Sequence, residues 1–209
     1  MAVELTWISH ASFRLAAGSV VYVDPWKIDA RPRDGNVVFV SHAHHDHCSG
    51  ADVRKVLAGG GVIYAPPDAA EDLGGKPLRP RDAVEAGDVR ITAVPAYNIG
   101  KDYHPKDRHW LGAVFETGGA RIYYAGDTDR IPEMAQLAAI DLALLPVGGT
   151  YTMTAAEAAD AAADIGCRAA VPYHFGDIVG TRADAAAFAD AAGCTVHVLA
   201  AGESLTVGA

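Results

Sequence analysis

Between Val37 and Gly50 the chain reads VVFVSHAHHDHCSG, an apolar run followed by four of its nine histidines and an aspartate within six consecutive positions. This stretch restricts the fold more than any other, because a strand has to end near His42 and a loop has to bring Asp46 and His47 back beside it. In extended backbone, residues two apart share a face, so His42 and His44 point one way as the strand runs out and His45 points the other. Asp46 and His47 follow where the chain turns, which aims a carboxylate and a third imidazole at a neighbouring point. Neutral imidazole and carboxylate together form the donor set that holds Zn, and also Mn or Fe. A solvated loop is the default for a single histidine, but HxHxDH at a strand end is too specific a pattern for that default.

The length of 209 residues, half of them apolar, is enough to bury a full core and fits one domain spanning 1–209 on the usual scale of roughly 100–200 residues per domain. A formal charge of -9 leaves no general basic face, so duplex nucleic acid is disfavoured as a partner, and a small-molecule substrate is expected instead. Cys48, Cys167 and Cys194 are odd in number and lack CxxC spacing, which argues against a disulfide framework and against a thiolate zinc cluster. The N-terminal residues MAVELTWISHASF do not read as an export signal, and no apolar run approaches the roughly 18 residues of a membrane span. The expectation is a cytoplasmic protein off the membrane, with homo-oligomers allowed.

Short extended runs open the chain at VELTWI, SFRLA and VVYVD, with a turn at residues 17–19, and NVVFVS then delivers the histidine cluster. Ser49 is placed to cap a helix to about Leu57, the glycines at 59–61 are expected to stop it, and GVIYAP resumes extended structure. VRITAVPAY, LGAVFET, ARIYYAG and DLALLPV read as further strands, with a helix expected near 132–139. Thr154 and Glu157 match a capping box ahead of an alanine-rich helix to about Ile165; RAAVPYH, a helix from about Arg182 and the strand CTVHVLA complete the order. Strand blocks interleaved with helices predict an α/β (α+β) chain of two sheets, each covered by helices on one face, in four layers.

One cluster cannot complete two coordination spheres, so further ligands are expected at other strand ends. Asp127, in YYAGDTD, is either a carboxylate able to bridge two metals or a turn aspartate. His174 ends RAAVPYHFG and is either a ligand or a satisfied core histidine, while either His104 or His109 can reach the site from the polar loop NIGKDYHPKDRHW. His197, inside TVHVLA, is assigned to packing.

These segments together, WISHASFRL, VVYVDPW, VSHAHHDH, VPAYNIGKDYHPK, IYYAGDTD, LLPVGGTYTM and VPYHFG, resemble the metallo-β-lactamase superfamily over nearly the whole chain. The likeness is to its small lactonase-like and phosphodiesterase-like members, the group that includes ascorbate-6-phosphate lactonase. The resemblance implies an αββα sandwich with a dinuclear centre along one edge. It implies His42, His44 and His104 at one metal, Asp46, His47 and His174 at the other, and Asp127 bridging. Many superfamily members carry a PGHT-like turn where this chain has PAYN at 95–98, so His104 follows the lactonase-like subgroup.

Two divalent ions, zinc first and manganese or iron as alternatives, lower the pKa of a shared water toward neutrality and polarise the scissile carbonyl or phosphoryl oxygen. Asp46 is then expected both to ligate and to orient the nucleophile. Asp24 is expected either to steady the histidine loop or to be a strand-end turn carboxylate, and His10 either to approach the pocket or to be structural. Lys101, Lys106 and Arg108 flank His104, an arrangement that favours an anionic substrate, and Tyr151 in GGTYTM can line the pocket. The expected function is therefore hydrolysis of a small anionic ester. A metal-binding structural or regulatory protein, or an oxygen-using iron enzyme of the same fold, is the alternative. Closed structural zinc sites mostly use thiolates and fill every position, whereas this donor set leaves room for water.

Overall fold

A computed structural model describes residues 1–208. The first half of the chain forms β1 (Val3–Ser9), β2 (Ser12–Ala16), β3 (Val20–Val23), β4 (Gly35–Phe39), α1 (Gly50–Val56), β5 (Leu57–Ala65), α2 (Pro67–Leu73) and β6 (Lys76–Pro77). The second half forms β7 (Ala83–Ala86), β8 (Val89–Pro95), β9 (Leu111–Thr117), β10 (Ala120–Tyr124), β11 (Leu142–Pro146), α3 (Ala155–Ile165), β12 (Ala169–Tyr173), α4 (Arg182–Ala191), β13 (Thr195–Val196) and β14 (Ser204–Val207). Two seven-stranded sheets result, in the orders β14-β1-β2-β3-β4-β5-β6 and β13-β12-β11-β10-β9-β8-β7.

Strand alternation explains the layers. In β3 and β4, Val21, Val23, Val37 and Phe39 face the core between the sheets, whereas Tyr22, Val38 and, just past β4, Val40 face outward onto Val53 and Val56 of α1 and Ala69 and Ala70 of α2. On the other side, Ala158, Ala161, Ala162 and Ile165 of α3 and Phe188 of α4 are buried in the larger core. Their small side chains let α3 lie close to the sheet. Edge-on aromatic pairs are buried in the larger core, with ring centroids of Phe39 and Phe115 5.5 Å apart and those of Phe13 and Tyr173 5.6 Å apart. Truncating such a ring to alanine costs about 3–5 kcal/mol. The four-layer αββα sandwich is thus present.

Several local expectations are corrected. Residues 59–61 lie inside β5 instead of ending a helix, and α1 ends because Leu57 turns to extended backbone (ψ 123°). Gly61 is required there by close strand approach, since a Cβ would fall 2.7 Å from the Gly35 carbonyl oxygen. The expected helix at 132–139 is a 3₁₀ turn over Pro132–Gln136. The run expected as one strand at 194–200 pairs only over Thr195–Val196, and His197 is exposed rather than packed. Both Ser49 and the Thr154/Glu157 box cap their helices as expected. No helix among the described residues is long and apolar enough to cross a membrane.

Strand direction decides where the functional loops gather. β3 and β4 run parallel, as do β10, β11 and β12, so residues after their C-terminal ends emerge along one edge. β2 pairs antiparallel with β3 (Phe13 opposite Val23), which returns the β1–β2 turn and His10 to that edge. Pro95 of β8 lies opposite Leu111 of β9, so the loop between them opens there too.

Candidate metal centre

After β4, the chain turns back on itself: the amides of His47 and Cys48 both donate to the His44 carbonyl, at 3.0 and 2.8 Å. That turn presents His42, His44, Asp46 and His47 together and leaves His45 exposed. Besides Asp24, His42 and His47, two donor groups form, each with ligand atoms within 4.8 Å of one another: His42, His44 and His104, and His10, Asp46, His47 and His174. Asp127 stands between them. One of its oxygens is 3.4 Å from His47 Nε2, and the other is 3.3 Å from His104 Nε2 and 3.0 Å from His174 Nε2.

Buried side chains fix which ring nitrogen faces inward. Asp24 is fully buried and accepts four bonds: from the Ser41 amide (2.7 Å), Ser41 Oγ (2.5 Å), His47 Nδ1 (2.6 Å) and Tyr124 OH (2.6 Å). Because the Ser41 hydroxyl spends its proton on Asp24, it accepts from His42 Nδ1 at 2.9 Å. His104 Nδ1 donates to Asn98 Oδ1 at 2.9 Å, and the Asn98 amide is oriented by its own bonds to Asp129 Oδ1 and the Tyr151 carbonyl. His47 and His104 therefore turn Nε2 toward Asp127, and His42 turns its Nε2 toward His44, 3.0 Å from Nδ1 of that ring.

The fit to cations rests on atoms without partners. His47 Nε2, His104 Nε2, His174 Nε2 and Asp127 Oδ1 are buried and surround one small volume, the three nitrogens 3.0–3.4 Å from the Asp127 carboxylate, yet none makes a hydrogen bond of good geometry. Orphaned buried polar atoms are rare because each costs about 1–3 kcal/mol. Four at one point, beside the carboxylates of Asp24, Asp46 and Asp127, are accounted for by positive ions. The donor set of imidazole and carboxylate suits Zn, Mn or Fe.

Electrostatics agree. Burial holds the His42 imidazolium well below its ordinary pKa, with help from His47, so this ring is neutral as a ligand must be. Burial also lowers His44. For Asp127, burial alone would raise the pKa, but His174, His47 and His104 outweigh it and hold the carboxylate ionised. Burial would lower His47, yet Asp127, Asp24 and Asp46 push it up to about 9, a measure of how negative the surroundings are. Three bulky residues here adopt left-handed backbone: Asp24 (φ 43°), His10 (φ 45°) and His174 (φ 63°). Such conformations cost of order 1–3 kcal/mol and cluster at functional sites.

The other sequence-derived candidates divide. His10 Nε2 lies 3.1 Å from Asp46 Oδ2, but its buried ring does not line the open cleft. Tyr151 does line it, together with His44, His45, Tyr103, His104, His174 and Ile178. The two lysines do not, which corrects the expectation for Lys101 and Lys106. Lys101 Nζ is held by Asp129 at 2.6 Å and the Thr152 carbonyl at 2.7 Å, and Lys106 lies over the Tyr97 ring and bonds the Tyr97 hydroxyl and Glu133. His109 is exposed in a separate depression with Tyr97 and Glu133. Ser41, Asn98 and Tyr124 are supporting residues the sequence reading missed. Only Ser41 carried a signal, its position directly before His42. Trp110, also missed, packs against the rings of His42 and His44 with centroids 4.9 and 4.8 Å away.

Residues 4–174 match the beta-lactamase superfamily domain. A UPF0173 metal-dependent hydrolase of Methanoculleus marisnigri is 32% identical over 98% of this chain and 97% of its own, and one of Methanoregula boonei is 29% identical over 98% of each. Among solved structures, Igni18, a metallo hydrolase of the archaeon Ignicoccus hospitalis, superposes with a TM-score of 0.81 at 25% identity, covering 99% of this chain and 98% of its own. The fold and the histidine-aspartate edge thus define a metallo-β-lactamase-type protein: the chain belongs to the beta-lactamase superfamily and, within it, to the family of UPF0173 metal-dependent hydrolases.

Proposed function

We propose that this protein is a metal-dependent hydrolase that cleaves an ester bond, a phosphodiester or a lactone, in a small molecule, as members of the ascorbate-6-phosphate lactonase group resemble it in motif order. The observation that supports this most is the convergence of unpartnered His47, His104 and His174 Nε2 on Asp127, between two donor groups and beside an open cleft. His42, His44 and His104 would hold one ion, Asp46, His47 and His174 the other, and Asp127 both. When bound, a pair of divalent ions, zinc first, supplies Lewis acidity and brings the pKa of water toward neutrality.

The chain's own residues do the rest. Asp46 borders the cleft as a carboxylate, because the His10 bond and the His47 charge outweigh its burial, and it can orient the attacking water through Oδ2. His10 is a positioning residue. Its Nε2 donates to that same oxygen and fixes the carboxylate, while the ring itself stays out of the cleft. The histidine-carboxylate set leaves positions open for water, which favours turnover over a purely structural role.

The test is metal content and hydrolysis measured together, on protein purified without chelator and assayed with bis(4-nitrophenyl) phosphate and a γ-lactone. His47→Ala and Asp127→Ala are expected to lower bound metal and to reduce turnover by about a thousandfold or more, since several kcal/mol of charge stabilisation is lost. Unchanged metal stoichiometry in both variants would refute the assignment.

A further inference from the structure

Lys101 and Lys106, expected to attract an anion, do not line the cleft, and the part of its lining away from the donor groups is largely apolar. Beyond the histidines, Asp46 and Asp127, the lining consists of Tyr103, Tyr151 and Ile178, around a space of about 240 Å³. Tyr103 and Ile178 are 47% and 42% exposed, and they are two of only four large apolar side chains with substantial exposure among the described residues. A third, Ile99 at 56%, lies in the same loop as Tyr103. Exposed apolar groups such as Tyr103 and Ile178 on the rim of a reactive centre mark a recognition surface. Tyr103 and Tyr151 also meet edge to face with centroids 4.7 Å apart, which makes a firm aromatic wall.

Charge on the rim points the same way. Lys101 is tied to Asp129, and Lys27 is tied to Asp177 at 2.7 Å, directly before Ile178. Asp102, directly before Tyr103, is exposed. The lysines nearest these rim residues in sequence or by ion pairing thus carry no free ammonium for a negatively charged substrate tail.

We propose that Tyr103, Tyr151 and Ile178 form a specificity wall for an uncharged apolar substituent, aromatic or aliphatic, carried next to the scissile ester. The inference rests on the hydrolase reading for the reacting bond but concerns the part of the substrate away from it. Burying each added methylene against such a wall is worth about fourfold in affinity.

Equilibrium binding separates the two readings. The metal-loaded protein is titrated with 2-hexyltetrahydrofuran, which has a ring and an alkyl chain but no scissile carbonyl, and with its analogue ending in a carboxylate. Intrinsic tyrosine and tryptophan fluorescence, or calorimetry, gives Kd. The alkyl ether is expected to bind at least tenfold more tightly than the carboxylate. Tyr103→Ala is expected to erase most of that difference, and Ile178→Lys to reverse it, both with wild-type metal content. In parallel, kcat/KM across γ-lactones is expected to rise threefold to fourfold per side-chain methylene. Equal or tighter binding of the carboxylate, or a preference that survives Tyr103→Ala, would overturn the wall. If the ether preference is found and no lactone or phosphodiester is cleaved, the wall stands and the hydrolase reading fails. If lactones are cleaved with no dependence on chain length, the wall fails and the hydrolase reading stands.

Discussion

Five of the imidazoles at this centre are held in two different ways. His42, His47 and His104 each have the outer ring nitrogen bonded to a buried side-chain oxygen, on Ser41, Asp24 and Asn98 respectively. His10 and His174 have Nδ1 atoms without partners. They are placed by the backbone instead: both are left-handed, the His174 amide donates to the His10 carbonyl at 3.2 Å, and their rings lie 4.1 Å apart. The first arrangement fixes tautomer and direction through side chains, so it fails when a side chain is removed. The second depends on loop shape, so it fails when the space behind the loop is filled.

The sharpest test of the first arrangement is Asp24→Ala. It leaves Ser41, His47 and Tyr124 with unpaired buried donors, and the expected loss is about 3–5 kcal/mol in urea unfolding, together with weaker metal binding. A loss below 1 kcal/mol would mean that Asp24 is not the keystone of that side. Gly148→Ala probes the second arrangement, because its Cβ would lie 2.6 Å from the His174 carbonyl oxygen and 3.1 Å from His174 Nδ1. Overpacking of this kind costs about 1–3 kcal/mol, and here it should also displace His174 and lower occupancy of the ion it helps to hold. Full occupancy in that variant would show that His174 tolerates movement and that loop shape does not by itself place its ring. Asn98→Ala gives the smallest change: about 10–100-fold weaker binding of one ion, read by chelator competition, with the second ion retained. Loss of both ions together would erase the distinction between the two donor groups.

How far the sequence reached follows from the range of each interaction. HxHxDH was legible because its residues are local and the strand period alone pairs His42 with His44. The helix caps at Ser49 and at Thr154 with Glu157 were legible for the same reason. Asp127 and His174 could be placed near the cluster only by resemblance, since separate strand ends of a different sheet carry them. Support from Tyr124 to Asp24 spans 100 residues and leaves no local trace. The lysines show the reverse error. Their charge was legible, but the partners that neutralise it, Asp129 and Glu133, lie 28 and 27 residues away and were not. In β5, the glycines at 59–61 read as a helix stop because the neighbouring strand that makes a glycine necessary is invisible in a linear pattern.

Elemental analysis of the chain purified without chelator, for the wild type beside His104→Ala and His109→Ala, addresses the dinuclear centre directly. Two equivalents of a divalent metal are expected in the wild type and in His109→Ala, falling toward one in His104→Ala. A metal-free wild type, or a His104→Ala variant that keeps both equivalents, would contradict a paired-ion site built on Asp127.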